Sequence, residues 1–173
     1  SWYAGCAPSS PEIHPMKPVD LDEIRRVRDE ADCLCDATEV DAALSRLASD
    51  ITARLHDRNP VVYTVMNGGL VLAGRLLPRL PFPLEVGYLH ATRYGHSLQG
   101  TLLDWLVSPT HDLRDRTVLV LDDILDEGHT LAAIIHHLKA EGAREVFSAV
   151  LVHKNHERKA WPAMRADFTG LEV

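Results

Sequence analysis

Apolar positions recur at helical spacing from about Thr38. Val40, Leu44, Leu47, Ile51 and Leu55 fall on one face, Thr38-Glu-Val-Asp41 has the form of a capping box, and Asn59-Pro60 ends the helix. The pattern then shortens. Residues 61–66, Val-Val-Tyr-Thr-Val-Met, are a continuous apolar run rich in β-branched side chains and predict a strand. Gly68-Gly69 breaks it, and residues 70–77 predict a helix stopped by Pro78. A second strand is predicted over 84–90. Residues 94–116, with Gly95, Ser97, Gly100, Ser108 and Pro109, predict a long connection of low regularity, of the kind that often serves as an active-site lid. The pattern resumes with a strand over 118–121, a helix over 130–141 turning Leu131, Ile134, Ile135 and Leu138 inward and ending at Gly142, and a strand over 146–152. At the other end, Pro8, Pro11, Pro15 and Pro18 fit neither a helix nor a central strand, so residues 1–19 read as an extended arm.

Short, fully apolar strands alternating with helices predict an α/β fold, a parallel sheet covered on both faces. In such sheets ligands bind beyond the carboxyl ends of the strands, which draws attention to the residues following Met66, His90, Leu121 and Val152. The 173 residues fit one domain with a sizeable core.

Composition narrows the chemistry. The chain is 46% hydrophobic and 25% charged with a net charge of -7, which disfavours a nucleic-acid-binding face. An acidic protein that binds phosphates must do so locally, through backbone N–H groups, a few basic side chains and a bound cation; a diphosphate ligand would call for a divalent metal. Cys6, Cys33 and Cys35 form neither a disulfide framework nor a zinc motif and read as reduced thiols. With no apolar run of membrane-spanning length and no signal-peptide pattern, no membrane partner is expected and the location is read as cytoplasmic.

Three carboxylates, Asp122, Asp123 and Asp126, fall within five residues of one another after the 118–121 strand. They would repel unless a cation or ligand hydroxyls stood among them. The same stretch supplies Gly128 for a tight turn and Thr130 at a helix start, where free N–H groups and the positive dipole end accept phosphate. Acid groups beside an anion cradle suit a sugar phosphate. A solvated acidic helix cap is the plainer alternative. A Walker B strand is a third, but the loop it requires is missing: Arg75 and Thr101 follow the nearest glycine pairs, and there is no Gly-x-Gly-x-x-Gly either.

Residues 118–130, Val-Leu-Val-Leu-Asp-Asp-Ile-Leu-Asp-Glu-Gly-His-Thr, resemble the signature of type I phosphoribosyltransferases, and the wider pattern from about Asp22 to Val173 is similar to their hypoxanthine/guanine branch. The resemblance implies a parallel twisted sheet with helices on both faces and a small hood from the termini, with residues 20–173 as the phosphoribosyltransferase domain. It implies phosphoribosyl pyrophosphate (PRPP) and a 6-oxopurine as substrates, Mg²⁺ as cofactor, and a homodimer or homotetramer. In the family's terms Asp122 and Asp123 hold the ribose hydroxyls and, through water, the metal. Asp126 is the general base, and Asp126, Glu127, Gly128, His129 and Thr130 wrap the 5′-phosphate; His129 stands at a variable position, so its side chain need not act in catalysis.

Val65-Met-Asn-Gly-Gly69 resembles the pyrophosphate loop, in which a non-proline cis peptide is expected at Met66–Asn67 or Asn67–Gly68. Asn67 and Gly68 would contact pyrophosphate there, although many relatives carry Lys or Arg at the position of Asn67. Thr92-Arg-Tyr-Gly95 resembles the opening of the family's lid, with Tyr94 and Gly95 in it, Arg93 open to a pyrophosphate contact or a surface role, and closure expected over residues 95–112. Lys154 matches the lysine that donates to the base's 6-oxo group. Relatives of this branch continue beyond the point where this chain ends, with a tail bearing an aromatic, an Asp and an Arg that serve the site; the domain is read as lacking it. The expected activity is purine salvage, forming IMP and GMP. A xanthine-type transferase and a nucleotide-sensing regulator on the same fold are the alternatives. His136 and His137 are read as helix-surface or interface residues.

Overall fold

The computed structural model describes residues 20–93, 103–155 and 164–173. The chain divides into two units, residues 1–33 and 34–173. The described part of the first is helix α1 (Leu21–Glu30), begun by the Asp20 side chain accepting from the Asp22 N–H at 3.0 Å. None of its residues is buried, and Leu21, Ile24 and Val27 are exposed.

The second unit opens with α2 (Ala37–Leu55). Its capping box is formed by Asp36 and Glu39, two residues earlier than the Thr38–Asp41 pair that the sequence suggests. A carboxylate at the N-cap position serves as well as a hydroxyl, and the earlier start satisfies two otherwise unpaired N–H groups. Six strands follow in one sheet, β1 (Val61–Val65), β2 (Glu85–Arg93), β3 (Leu103–Val107), β4 (Thr117–Leu125), β5 (Glu145–His153) and β6 (Phe168–Glu172), in the order β3-β2-β1-β4-β5-β6. All neighbours are parallel except β2 and β3.

The helices α3 (Gly69–Leu76) and α4 (His129–Ala140) complete a sheet covered on both faces. On one side Leu44, Leu47, Ile51 and Leu55 of α2 and Leu72 and Leu76 of α3 pack on Val62, Leu119, Leu121 and Ala149. On the other, Leu131, Ile134 and Leu138 of α4 pack on Val61, Tyr63, Val118, Val120 and Val150. Every residue of β1 is buried, which is why that strand is apolar without alternation. Among the described residues no helix is long and apolar enough to cross a membrane.

Two elements depart from the sequence reading. The 94–116 connection contains β3, which runs antiparallel to β2 with its register shifted between His90 and Ala91. Its inward side chains are partly buried and its outward ones exposed, and the Trp105 ring lies 4.7 Å from that of His137 on α4. Only five residues carry the alternation, and the outward Leu106 breaks it because it is as apolar as its inward neighbours. The sequence reading also leaves out β6, which extends the sheet beside β5. Of the termini expected to form a hood, residues 1–19 lie outside the described residues, and residues 168–172 form β6 of the main sheet.

The connection returns to β4 through a buried anchor. Tyr63, fully buried, accepts at its hydroxyl from the His111 backbone N–H at 3.2 Å and lies 3.0 Å from His111 Nδ1. Gly87 makes room for this pair, since a Cβ there would stand 2.6 Å from Tyr63 Cε1 and 3.0 Å from His111 Cε1. Gly87→Ala should therefore cost about 1–3 kcal/mol, because a ring locked in the core cannot retreat. Thermal unfolding should register a drop of roughly 2–4 °C per kcal/mol. An unchanged midpoint would show that the ring can shift freely.

Candidate active site

In this strand order β1 feeds β2 on one side while β4 lies on the other, so the crevice between the carboxyl ends of β1 and β4 is the switch point where α/β sheets bind ligands. Two loops meet there.

The first follows β1. The Met66 N–H donates to Leu89 O at 2.7 Å, the Met66–Asn67 peptide is cis, and the Leu70 N–H returns to Asn67 O at 3.2 Å as α3 begins. The cis bond thus stands at the first of the two positions the sequence allows. Gly68 and Gly69 are required by proximity. A Cβ on Gly68 would lie 2.6 Å from Asp123 Oδ1, and one on Gly69 would lie 2.9 Å from the Leu121 carbonyl oxygen. The loop therefore rests directly on the acidic end of β4.

The second loop leaves β4. The sequence reading ends that strand at Leu121, yet Asp122 and Asp123 lie within it: Asp122 is registered with Val150, and pairing continues to Leu125 and His153. The apolar Ile124 and Leu125 extend the ladder past the carboxylates. As a result Asp122 is partly buried rather than solvated. Burial first, and the charge of Asp123 second, push its carboxyl up to about 7, while the Asp123 N–H donates to Asp122 Oδ1 at 3.0 Å. Asp126 is the first residue beyond the strand. Its Oδ2 lies 3.1 Å from Lys154 Nζ, and the Lys154 N–H donates to Leu125 O at 3.0 Å, fixing the end of β5 beside the loop.

Gly128 caps α4 with φ +83°, a conformation that favours glycine, and His129 and Thr130 begin the helix. The N–H groups of the first helical turn have no partners within the helix and face the loop. His129 Nε2 lies 3.9 Å from Glu127 Oε2. Residues 122–131 line a cleft of about 330 Å³, wide enough to take a sugar phosphate.

The cleft gathers Asp122, Asp123, Asp126, Glu127, Gly128, His129 and Thr130, with Gly68 packed against Asp123 and Lys154 paired to Asp126. Arg93 belongs to β2, paired through its backbone with Leu103; its side chain, Tyr94 and Gly95 lie outside the described residues. Nothing in the sequence points to Met164, whose Sδ would stand 3.0 Å from a Cβ on Gly128. A contact across 36 positions of chain has no local signature.

The donor set suits a divalent cation shared with a ligand. Two adjacent carboxylates, one of them penalised for its charge, would both gain from a cation beside them. Among the described residues no three His, Cys, Asp or Glu side chains are grouped to hold a metal unaided. A Mg²⁺ ion beside two carboxylates would complete its shell with water and substrate phosphates.

A parallel sheet whose switch point joins paired carboxylates to a glycine-capped helix start defines a protein that handles phosphorylated sugars or nucleotides. The phosphoribosyl transferase domain family matches residues 34–167, and the chain belongs to that family. It is 27% identical over 139 residues to the hypoxanthine-guanine phosphoribosyltransferase of Bacillus subtilis, covering 78% of this chain and 74% of that protein. It is 30% identical over 139 residues to the bifunctional protein TilS/HprT of Listeria innocua, covering 78% of this chain and spanning only 21% of that longer protein. The fold is shared with a hypoxanthine phosphoribosyltransferase from Staphylococcus aureus, at a TM-score of 0.77 and 18% identity over 89% of this chain and 83% of that one.

Proposed function

We propose that this protein transfers the phosphoribosyl group of PRPP to N9 of hypoxanthine and of guanine, releasing pyrophosphate. The observation that carries the reading is the meeting, beyond the carboxyl ends of β1 and β4, of the Gly68–Gly69 loop, the acidic end of β4 and the glycine-capped start of α4, with Lys154 alongside. The names of the relatives support it.

In this reading the 5′-phosphate is held by the N–H groups from Glu127 to Thr130, and its binding energy holds the sugar in reacting geometry. Asp122 and Asp123 take the ribose hydroxyls. Through water they would also hold Mg²⁺, which when bound would offset the charge of the departing pyrophosphate. Asn67, Gly68 and Arg93 serve the pyrophosphate, and Tyr94 and Gly95 open the segment that excludes water. Asp126 takes the proton from N7 as N9 attacks, and Lys154 donates to the 6-oxo group. Adenine presents an amino group at that point and should be rejected.

Product formation from PRPP and Mg²⁺ with hypoxanthine, guanine, xanthine or adenine tests this. Hypoxanthine and guanine should be consumed and adenine should not. Preference for xanthine would move the assignment to a xanthine-type enzyme, and inactivity with all bases would favour a nucleotide-sensing role, which a net charge of -7 already makes a poor match for nucleic-acid binding.

A further inference from the structure

Lys154 and Asp126, given separate roles above, are partners here: Nζ lies 3.1 Å from Oδ2. Both side chains are about half exposed, so the pair is solvated and exchanges readily. The backbone is less free. The Lys154 N–H is bonded to Leu125 O, and His153 is registered with Leu125, so the two residues leave adjacent strand ends side by side. The lysine can therefore move its ammonium without moving its anchor.

We infer that this ion pair is a latch opened by the substrate: the 6-oxo group of the incoming base draws Lys154 away from the carboxylate that accepts the base's proton. The inference rests on the transferase reading above. An ammonium has three donors and no acceptor, so it can turn to a carbonyl oxygen but gains nothing from an amino group. While it stays on Asp126 it favours the charged carboxylate and weakens it as a base; its departure strengthens Asp126. The step that follows balances. The N9 lone pair forms the bond to the anomeric carbon, the bond from that carbon to pyrophosphate breaks with its electrons leaving on oxygen, and the N7 proton passes to Asp126.

The latch differs from a lysine that merely anchors the base. An anchor discriminates through KM, and its removal leaves a base without a 6-substituent unaffected. A latch discriminates through kcat, and its removal should help such a base.

The test compares wild type with Lys154→Met, which keeps the length of the stem, using hypoxanthine, adenine and 6-unsubstituted purine with saturating PRPP and Mg²⁺. Circular dichroism checks that the variant folds. With hypoxanthine the variant should lose 10- to 100-fold in kcat/KM. With unsubstituted purine its kcat should rise several-fold above wild type. A purine kcat that is unchanged or lower, in a wild-type protein that uses hypoxanthine, overturns the latch and leaves the transferase reading intact. Failure of the wild type with every base removes that reading and the latch together.

Discussion

Asp126→Asn should lower kcat by two to four orders of magnitude, the usual contribution of a positioned proton acceptor, while the affinity for PRPP changes by no more than a few fold. The amide keeps the size of the carboxyl but cannot take a proton. Asp126 is the acid best placed for that role. Asp122 and Asp123 belong to the β4 ladder, the former partly buried and the latter pressed on Gly68. Asp126 stands one residue past the strand, half exposed in the cleft, where a base can reach it. Steady-state rates with hypoxanthine, with PRPP affinity measured by calorimetry, give the two numbers. A kcat within tenfold of wild type would remove Asp126 as the proton acceptor, whereas a parallel loss of PRPP affinity would make it a sugar-binding residue.

The parts of this architecture that could be read from sequence are those in which one segment determines its own state. The apolar runs that open β1 and β4 are continuous because both faces of those strands are covered, and the stripe of α2 repeats because only one side is. Gly128, with its positive φ, is legible as a turn for the same reason, whereas the packing of Gly68 on Asp123 and of Gly69 on Leu121 is not. What stayed hidden depends on partners distant in sequence. Asp122 and Asp123 read as loop residues because carboxylates disfavour strands; only pairing with β5 keeps them in the ladder. β3 needs β2 and the ring of His137, and β6 needs β5. The Lys154–Asp126 pair joins two motifs that the sequence presents 28 positions apart, each with a role of its own.

The strand position of Asp122 has an energetic consequence that can be measured in the absence of substrate. Its carboxyl is raised from 3.8 to about 7, by burial and then by Asp123, so between those values the folded protein holds a proton that the unfolded chain has released. Stability is therefore greatest below the unfolded value, falls as pH rises from about 4, and levels off once pH has passed about 7. A displacement of that size corresponds to at most about 4 kcal/mol, and partial solvation should leave about 2 kcal/mol. Asp122→Asn removes the titration. It should melt with wild type at pH 4 and about 4–8 °C above it at pH 8. Mg²⁺ with PRPP should narrow that gap, since a cation beside the ionised carboxylate stabilises wild type and gives the amide much less. The same difference in melting temperature at both pH values would mean that Asp122 is not the titrating group. A variant gaining as much as wild type from Mg²⁺ and PRPP would mean that the metal and the ribose are held without it.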